Sequence, residues 1–302
     1  TIIALIYLIG GLLQSDFKIT IGGIIAFVTY STYVITPISS LLNIKYYLSG
    51  VMPSVKRYYK FMDLAEERQT GKNIAEQDTI TINFQNVSFF YEENNPVLNN
   101  ISFSAGLGDR LIILGRNGAG KTTFINLILL LYDEYSGNIL INGMNVKEIN
   151  IQSYRELISV VSQDIYLFND TIEFNILLGR KVSDEQLNQV IVDSGLEEFV
   201  KEHSLKYVVG ENGSLVSGGE KQKIALARAL IRNTPIIIFD EATSNLDQKS
   251  EKSINRLIEM EFKDKLIIMV THKIDSIKST DRVIDLSNKG KEETQRREVT
   301  IC

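Results

Sequence analysis

The sequence predicts an α/β domain built on a largely parallel sheet, preceded by α-helix able to span a membrane. Three observations carry this. From Ile80 onward, short β-rich runs alternate with helical stretches. The run Ile19 to Ile44 holds no charged residue. A glycine-rich stretch, Gly115 to Thr122, sits between an apolar strand and an apolar helix.

In chain order, Ile2 to Leu13 is an uncharged run too short to cross a bilayer alone, and it reads as the second half of a cut helix. Gln14 to Thr20 reads as a polar hairpin. The run Ile19 to Ile44 is bracketed by Lys18 and Lys45. At about 1.5 Å per residue it exceeds a hydrocarbon core of about 30 Å, even with Gly22, Gly23 and Pro37 inside it. Lys45, Lys56, Arg57 and Lys60 follow the span, which puts that end in the cytoplasm by the positive-inside rule. The helical pattern then turns polar up to about Ala65, as a stalk beyond the membrane would. The resulting division is 1–65 for the end of a transmembrane domain, 66–79 for a linker, 80–286 for the α/β domain and 287–302 for an atypical tail expected to be disordered. Within the α/β domain, strands are expected at Thr81 to Phe84, Leu111 to Leu114, Ile139 to Ile141, Ser159 to Val161, Ile236 to Phe239 and Leu266 to Val270.

Composition excludes several classes. Hydrophobic residues make up 44% and charged residues 23% of the 302, so the chain is not intrinsically disordered. A formal net charge of -5 with interspersed signs offers no basic field for nucleic acid. The only cysteine is Cys302 and the only histidines are His203 and His272, which leaves neither a disulfide nor a zinc-ligand cluster; any metal should be a hard cation held by oxygen.

Leu111 to Leu114 runs into Gly115-Arg116-Asn117-Gly118-Ala119-Gly120-Lys121-Thr122, which opens the helix that follows. This is a P-loop. Its glycines turn the backbone tightly and aim N–H groups at phosphate oxygens, and the helix N-terminus adds partial positive charge. Lys121 is expected at the β- and γ-phosphates, Thr122 at Mg²⁺ and Thr123 beside them on the nucleotide. Pro235 to Glu241 is an apolar strand ending in two carboxylates, a costly place for charge unless a metal or a reaction uses it. Asp240 suits the Mg²⁺ shell, and Glu241 is placed to deprotonate attacking water.

Val216-Ser217-Gly218-Gly219-Glu220, leading into the helix Lys221 to Ala229, resembles the signature of ATP-binding-cassette proteins. The resemblance implies an α/β P-loop NTPase cassette with a mixed, largely parallel sheet and a helical subdomain. Ser217, Gly218, Gly219 and Glu220 are then expected to bind a nucleotide held by an opposing cassette. The same likeness makes Tyr91 the aromatic that stacks on adenine and Gln163 the glutamine that contacts Mg²⁺ and senses the membrane domain. Asp247 falls in the loop between facing cassettes, and His272 is the histidine that reads the γ-phosphate. Val209 to Gly213, centred on Glu211, and Phe168 to Ile172 resemble segments of exporters rather than importers. Val216 and Glu220 depart from the usual leucine and glutamine of the signature, Ser162 replaces a frequent proline, and the run Gly290 to Arg297 replaces the family's usual C-terminal elements.

The resemblance therefore implies an ATPase that binds ATP and Mg²⁺ and pairs with a second cassette, as a homodimer or a heterodimer. The cassette lies on the cytoplasmic side of a multi-pass protein of the cell membrane, in contact with lipid and with transmembrane helices upstream of Thr1. It exports a substrate the sequence does not identify and binds no nucleic acid. Two alternatives share the motifs: a soluble cassette ATPase, and a cassette that holds ATP without hydrolysing it as the regulatory half of a heterodimer.

Overall fold

A computed structural model describes residues 2–13, 20–64, 66–74, 79–92, 95–243, 246–272 and 277–287. The hairpin expected over 14–20 (Thr20 excepted), the tail from 288 and Ser244-Asn245 lie outside the described residues. The chain divides into two compact units, 1–67 and 68–302.

In the first unit, α1 (Ile2–Leu12) packs on α2 (Ile21–Met62). Gly10 makes the contact possible, since a Cβ there would stand 3.1 Å from Ile24. The Thr20 hydroxyl caps α2 by accepting from the Gly23 amide. The helix runs unbroken through Pro37 and Pro53 for 42 residues, so the apolar span and its polar continuation are one element. Among the described residues it is the one helix long and apolar enough to cross a membrane.

The second unit begins on the segment read as linker, and here Arg68 fixes the chain. Its guanidinium donates to the carbonyls of Val146, Lys147 and Ile149. Asn150 donates to the Gln69 carbonyl, and Gly71 lies so close to Ile149 that a Cβ would fall 2.5 Å from its carbonyl carbon. The first strands are β1 (Thr81–Phe90), β2 (Pro96–Gly106), β3 (Arg110–Leu114), β4 (Ser136–Ile141), β5 (Met144–Asn145) and β6 (Ile158–Val161). Between them lie α3 (Lys121–Ile128) and α4 (Ile151–Arg155), and after β6 come α5 (Ile172–Leu177), α6 (Asp184–Asp193), α7 (Glu197–His203) and α8 (Gly218–Arg232). The last described elements are β7 (Ile236–Asp240), α9 (Gln248–Glu261), β8 (Leu266–Thr271) and β9 (Arg282–Asp285).

The strands form two sheets: an antiparallel one ordered β2-β1-β4-β5 and a wholly parallel one ordered β6-β7-β8-β3-β9. Strand alternation sorts the parallel sheet's side chains onto two faces. Ile236, Ile238, Leu111 and Ile113 join Phe84, Leu98, Phe124 and Leu127 in the core shared with the antiparallel sheet and α3. Ile237, Phe239 and Ile112 turn to the other face, against Leu226 of α8 and Ile254 and Ile258 of α9. The α5–α7 region has a core of its own, into which α8 inserts Ile224, Ala227 and Ile231. Helix α8 is thus buried on two sides.

Candidate nucleotide site

Because β6, β7, β8 and β3 are parallel neighbours, the residues after each emerge at one edge, where an open α/β sheet gathers its ligands. Gly115 follows β3, Glu241 follows β7, His272 follows β8 and Gln163 follows β6 at a remove of two. The register sets the alignment, with Leu114 opposite Thr271 and Asp240 opposite Val270.

The loop 115–120 needs its glycines for two separate reasons. A Cβ on Gly115 would lie 2.8 Å from the Ala119 Cβ. Gly120 sits at φ 98, packed on Val97 and Leu98, and no side chain caps the helix it starts, so the first amides of α3 are left for a ligand. Arg116, Asn117 and Gly118 are exposed along the rim of an open cleft of about 380 Å³, closed on its far side by Asn95, Pro96 and Val97.

Lys121 is buried, donating to the Gly115 carbonyl at 2.9 Å and pairing with Glu241 Oε1 at 2.8 Å. The second oxygen of Glu241 lies 3.2 Å from His272 Nδ1. Burial opposes ionisation of Glu241, but Lys121 and His272 outweigh it and hold the carboxyl below the usual range. The Glu241 backbone is left-handed at φ 45, kept there by its N–H donating to the Val270 carbonyl. That conformation costs a non-glycine residue about 1–2 kcal/mol, which is consistent with a functional position. Burial and the charge of Glu241 push Asp240 up, against the pull of Lys121. Thr122 is exposed in the first turn of α3. Gln163 stands exposed beyond β6 and is not joined to the Lys121–Glu241–His272 chain.

Tyr91 shares a 3.0 Å hydrogen bond with Thr123. The signature residues lie elsewhere. Ser217 caps α8 and Glu220 completes a capping box, its Oε2 accepting the Ser217 N–H at 2.6 Å. Gly218 and Gly219 pack beside Leu246 and Ser250, so the signature abuts the segment of Asp247 rather than the P-loop. The Asp247 carboxylate caps α9, accepting from the Lys249 and Ser250 amides and the Ser250 hydroxyl, and these bonds hold its pKa low. Glu211 opens a short 3₁₀ turn tied to α8 through Lys221, which donates to the Asn212 carbonyl.

The sequence profile of the ABC transporter family matches residues 98–244. This domain belongs to the ABC transporter family. It is 35% identical over 274 residues to the ATP-dependent lipid A-core flippase of Pasteurella multocida (strain Pm70), covering 89% of this chain and 47% of that protein. It is 34% identical over 294 residues to the flippase of the same name from Wigglesworthia glossinidia brevipalpis, covering 96% and 50%. A solved structure of a bacterial Atm1-family ABC exporter with ATP bound matches at a TM-score of 0.69 and 29% identity, covering 94% of this chain and 51% of that one. The chain spans about half the length of the curated relatives it matches. The cassette is an ATP-binding ATPase domain.

Sequence reasoning missed one part of this ABC cassette. Asn175 is fully buried, donating to the carbonyls of Phe168 and Thr171 and accepting from the Phe168 amide. Arg228 of α8 donates to both the backbone and side-chain oxygens of Asn175 and to the Tyr166 carbonyl. Burial pushes the guanidinium down to about 10. The pair fastens the segment after Gln163 to the helix that carries the signature. Arg228 lies in the helix that follows the signature and Asn175 just beyond the exporter-like segment, but nothing in the sequence shows that the two meet.

Proposed function

We propose that the chain is the motor end of an ABC exporter, in which two cassettes close head to tail around two MgATP and drive an attached membrane domain. The observation that carries this is the chain of contacts from Lys121 through Glu241 to His272 at the mouth of the glycine loop.

Lys121 leaves Glu241 to neutralise the β- and γ-phosphates. Glu241 then accepts a proton from the water whose oxygen bonds to the γ-phosphorus, as the bond from that phosphorus to the bridging oxygen of departing ADP breaks. His272 holds the transferred phosphate, and the loop amides and Lys121 meet the charge that develops. A hard cation suits the donors here, since Thr122 offers a hydroxyl and Asp240 a half-buried carboxylate whose ionisation a cation would favour. Mg²⁺ held by Thr122 and Asp240, with Gln163 brought in on closure, would supply further neutralisation of phosphate charge. Tyr91 stacks on adenine, and Ser217, Gly218 and Gly219 of one cassette complete the site of the other, with Asp247 at the seam. A homodimer and a heterodimer both fit this scheme. Helix α2 is the last membrane span, its basic end and the cassette cytoplasmic. The relatives' names favour an amphipathic lipid as the exported class.

The test is Glu241→Gln in the full chain, with mass in detergent measured with and without MgATP. An ATP-dependent dimer that Ser217→Arg abolishes supports the composite site. A variant that binds ATP and stays monomeric at high concentration overturns the homodimer.

A further inference from the structure

We infer that Thr123 is a positioning residue for the adenine base, acting through the hydroxyl of Tyr91 rather than on the phosphates. The inference rests on the proposal that Tyr91 stacks on adenine. Tyr91 is 55% exposed, and an exposed aromatic side chain is ordinarily free to change rotamer. Here two restraints act on it. Its ring meets Phe89 edge to face at 4.9 Å and 89°, and Tyr132 at 5.6 Å and 86°, which sets its tilt. Its hydroxyl shares the 3.0 Å hydrogen bond with Thr123, whose own side chain is buried at 5% exposure and cannot swing away. The same phenol raises the pKa of Tyr132 by hydrogen bonding to it.

Thr123 belongs to the first turn of α3, whose N-terminal amides form the phosphate cradle. The hydrogen bond therefore ties the base platform directly to that cradle and fixes the separation between them before nucleotide arrives. A ring ordered in advance loses less freedom on binding. A threonine hydroxyl at this place in a P-loop is otherwise expected to serve the nucleotide itself, and the two roles make different predictions.

The experiment is calorimetric titration of the full chain in detergent with MgATP and, separately, with magnesium tripolyphosphate, which has the phosphates and no base. Thr123→Val and Tyr91→Phe are each expected to weaken MgATP by about fivefold, the worth of one neutral hydrogen bond. The double variant should be no weaker than either single one, tripolyphosphate should bind all of them equally, and Thr123→Ser should bind as the parent does. Multiplying defects, or an equal loss for tripolyphosphate in Thr123→Val, would assign Thr123 to the phosphates and overturn the inference. Tyr91→Ala separates the premise from the inference. If it leaves the ratio of ATP to tripolyphosphate affinity unchanged, base stacking itself fails; if it lowers that ratio while Thr123→Val does not, stacking stands and the role of Thr123 falls.

Discussion

Lys121 and Glu241 are joined at 2.8 Å, so the cation expected at the phosphates is held by the carboxylate expected to activate water. In the proposed mechanism each masks the other until nucleotide separates them. Breaking the pair from the Glu241 side should therefore affect binding and chemistry in opposite directions. In Glu241→Gln, phosphate release is expected to fall by about 10²- to 10⁴-fold, the range for loss of a general base, while MgATP affinity holds or rises because Lys121 is no longer competed for. A phosphate-release assay beside an ATP titration reads both.

The same pair sets an acid limit on stability. The folded carboxyl of Glu241 lies below its unfolded value, so its contribution is full above the ordinary glutamate range near pH 4.3 and is lost as pH falls through the folded value. Lys121→Met should melt below the parent at pH 7, with the gap closing toward pH 3. Thermal melts across that interval check it, and a gap independent of pH contradicts it.

Glu220 places a negative charge at the N-terminus of α8, where a partner's triphosphate is proposed to dock. Glutamine can form the same capping box without the charge. Glu220→Gln should leave the melting temperature unchanged and strengthen the MgATP-dependent dimer, read as mass against protein concentration. Glu220→Ala should cost about 0.5–1 kcal/mol of stability through the lost acceptor for the Ser217 N–H, the Ser217 cap itself remaining.

Asn175→Leu should be among the most damaging substitutions away from the nucleotide. It takes the side-chain acceptor from half-buried Arg228 and the side-chain ties from the Phe168 loop. A loss of about 1–3 kcal/mol is expected, measurable by denaturant unfolding.

Gly115→Ala puts a methyl 2.8 Å from the Ala119 Cβ. The loop must open to admit it, and MgATP affinity should drop at least about tenfold, with the melting temperature of the nucleotide-free protein much less affected.

What the sequence made legible was local. Leu111 to Leu114 followed by the glycine loop, and Ile236 to Asp240, are short apolar runs whose chemistry sits at one end, and each lies where it was expected. Strand β2 escaped notice because Asn99-Asn100 interrupts its alternation, and Asn100, at φ 52, bends it where its register with β1 shifts. Strand β9 escaped because its sequence is half charged and it pairs with β3, distant in the chain. The parallel sheet read from alternation is accompanied by a separate antiparallel one, a division that depends on which edges pair and leaves no trace in a hydrophobic pattern. The clasp of Lys121 on Glu241 depends on β7 and β3 flanking β8, and sequence spacing alone does not supply that order. Arg228 and Asn175 look like solvent-facing residues of ordinary amphipathic helices, and only the fold shows them bonded to each other.

Helix α2 has a mechanical consequence. Its 42 residues, at about 1.5 Å each, make a rod of about 63 Å, roughly twice the thickness of a hydrocarbon core. With no break in the helix, such a rod works as a lever. A tilt of about 5° at one end displaces the other by about 5 Å, so in the membrane placement proposed above a small rotation on the aqueous side would become a movement the width of a side chain at the far leaflet.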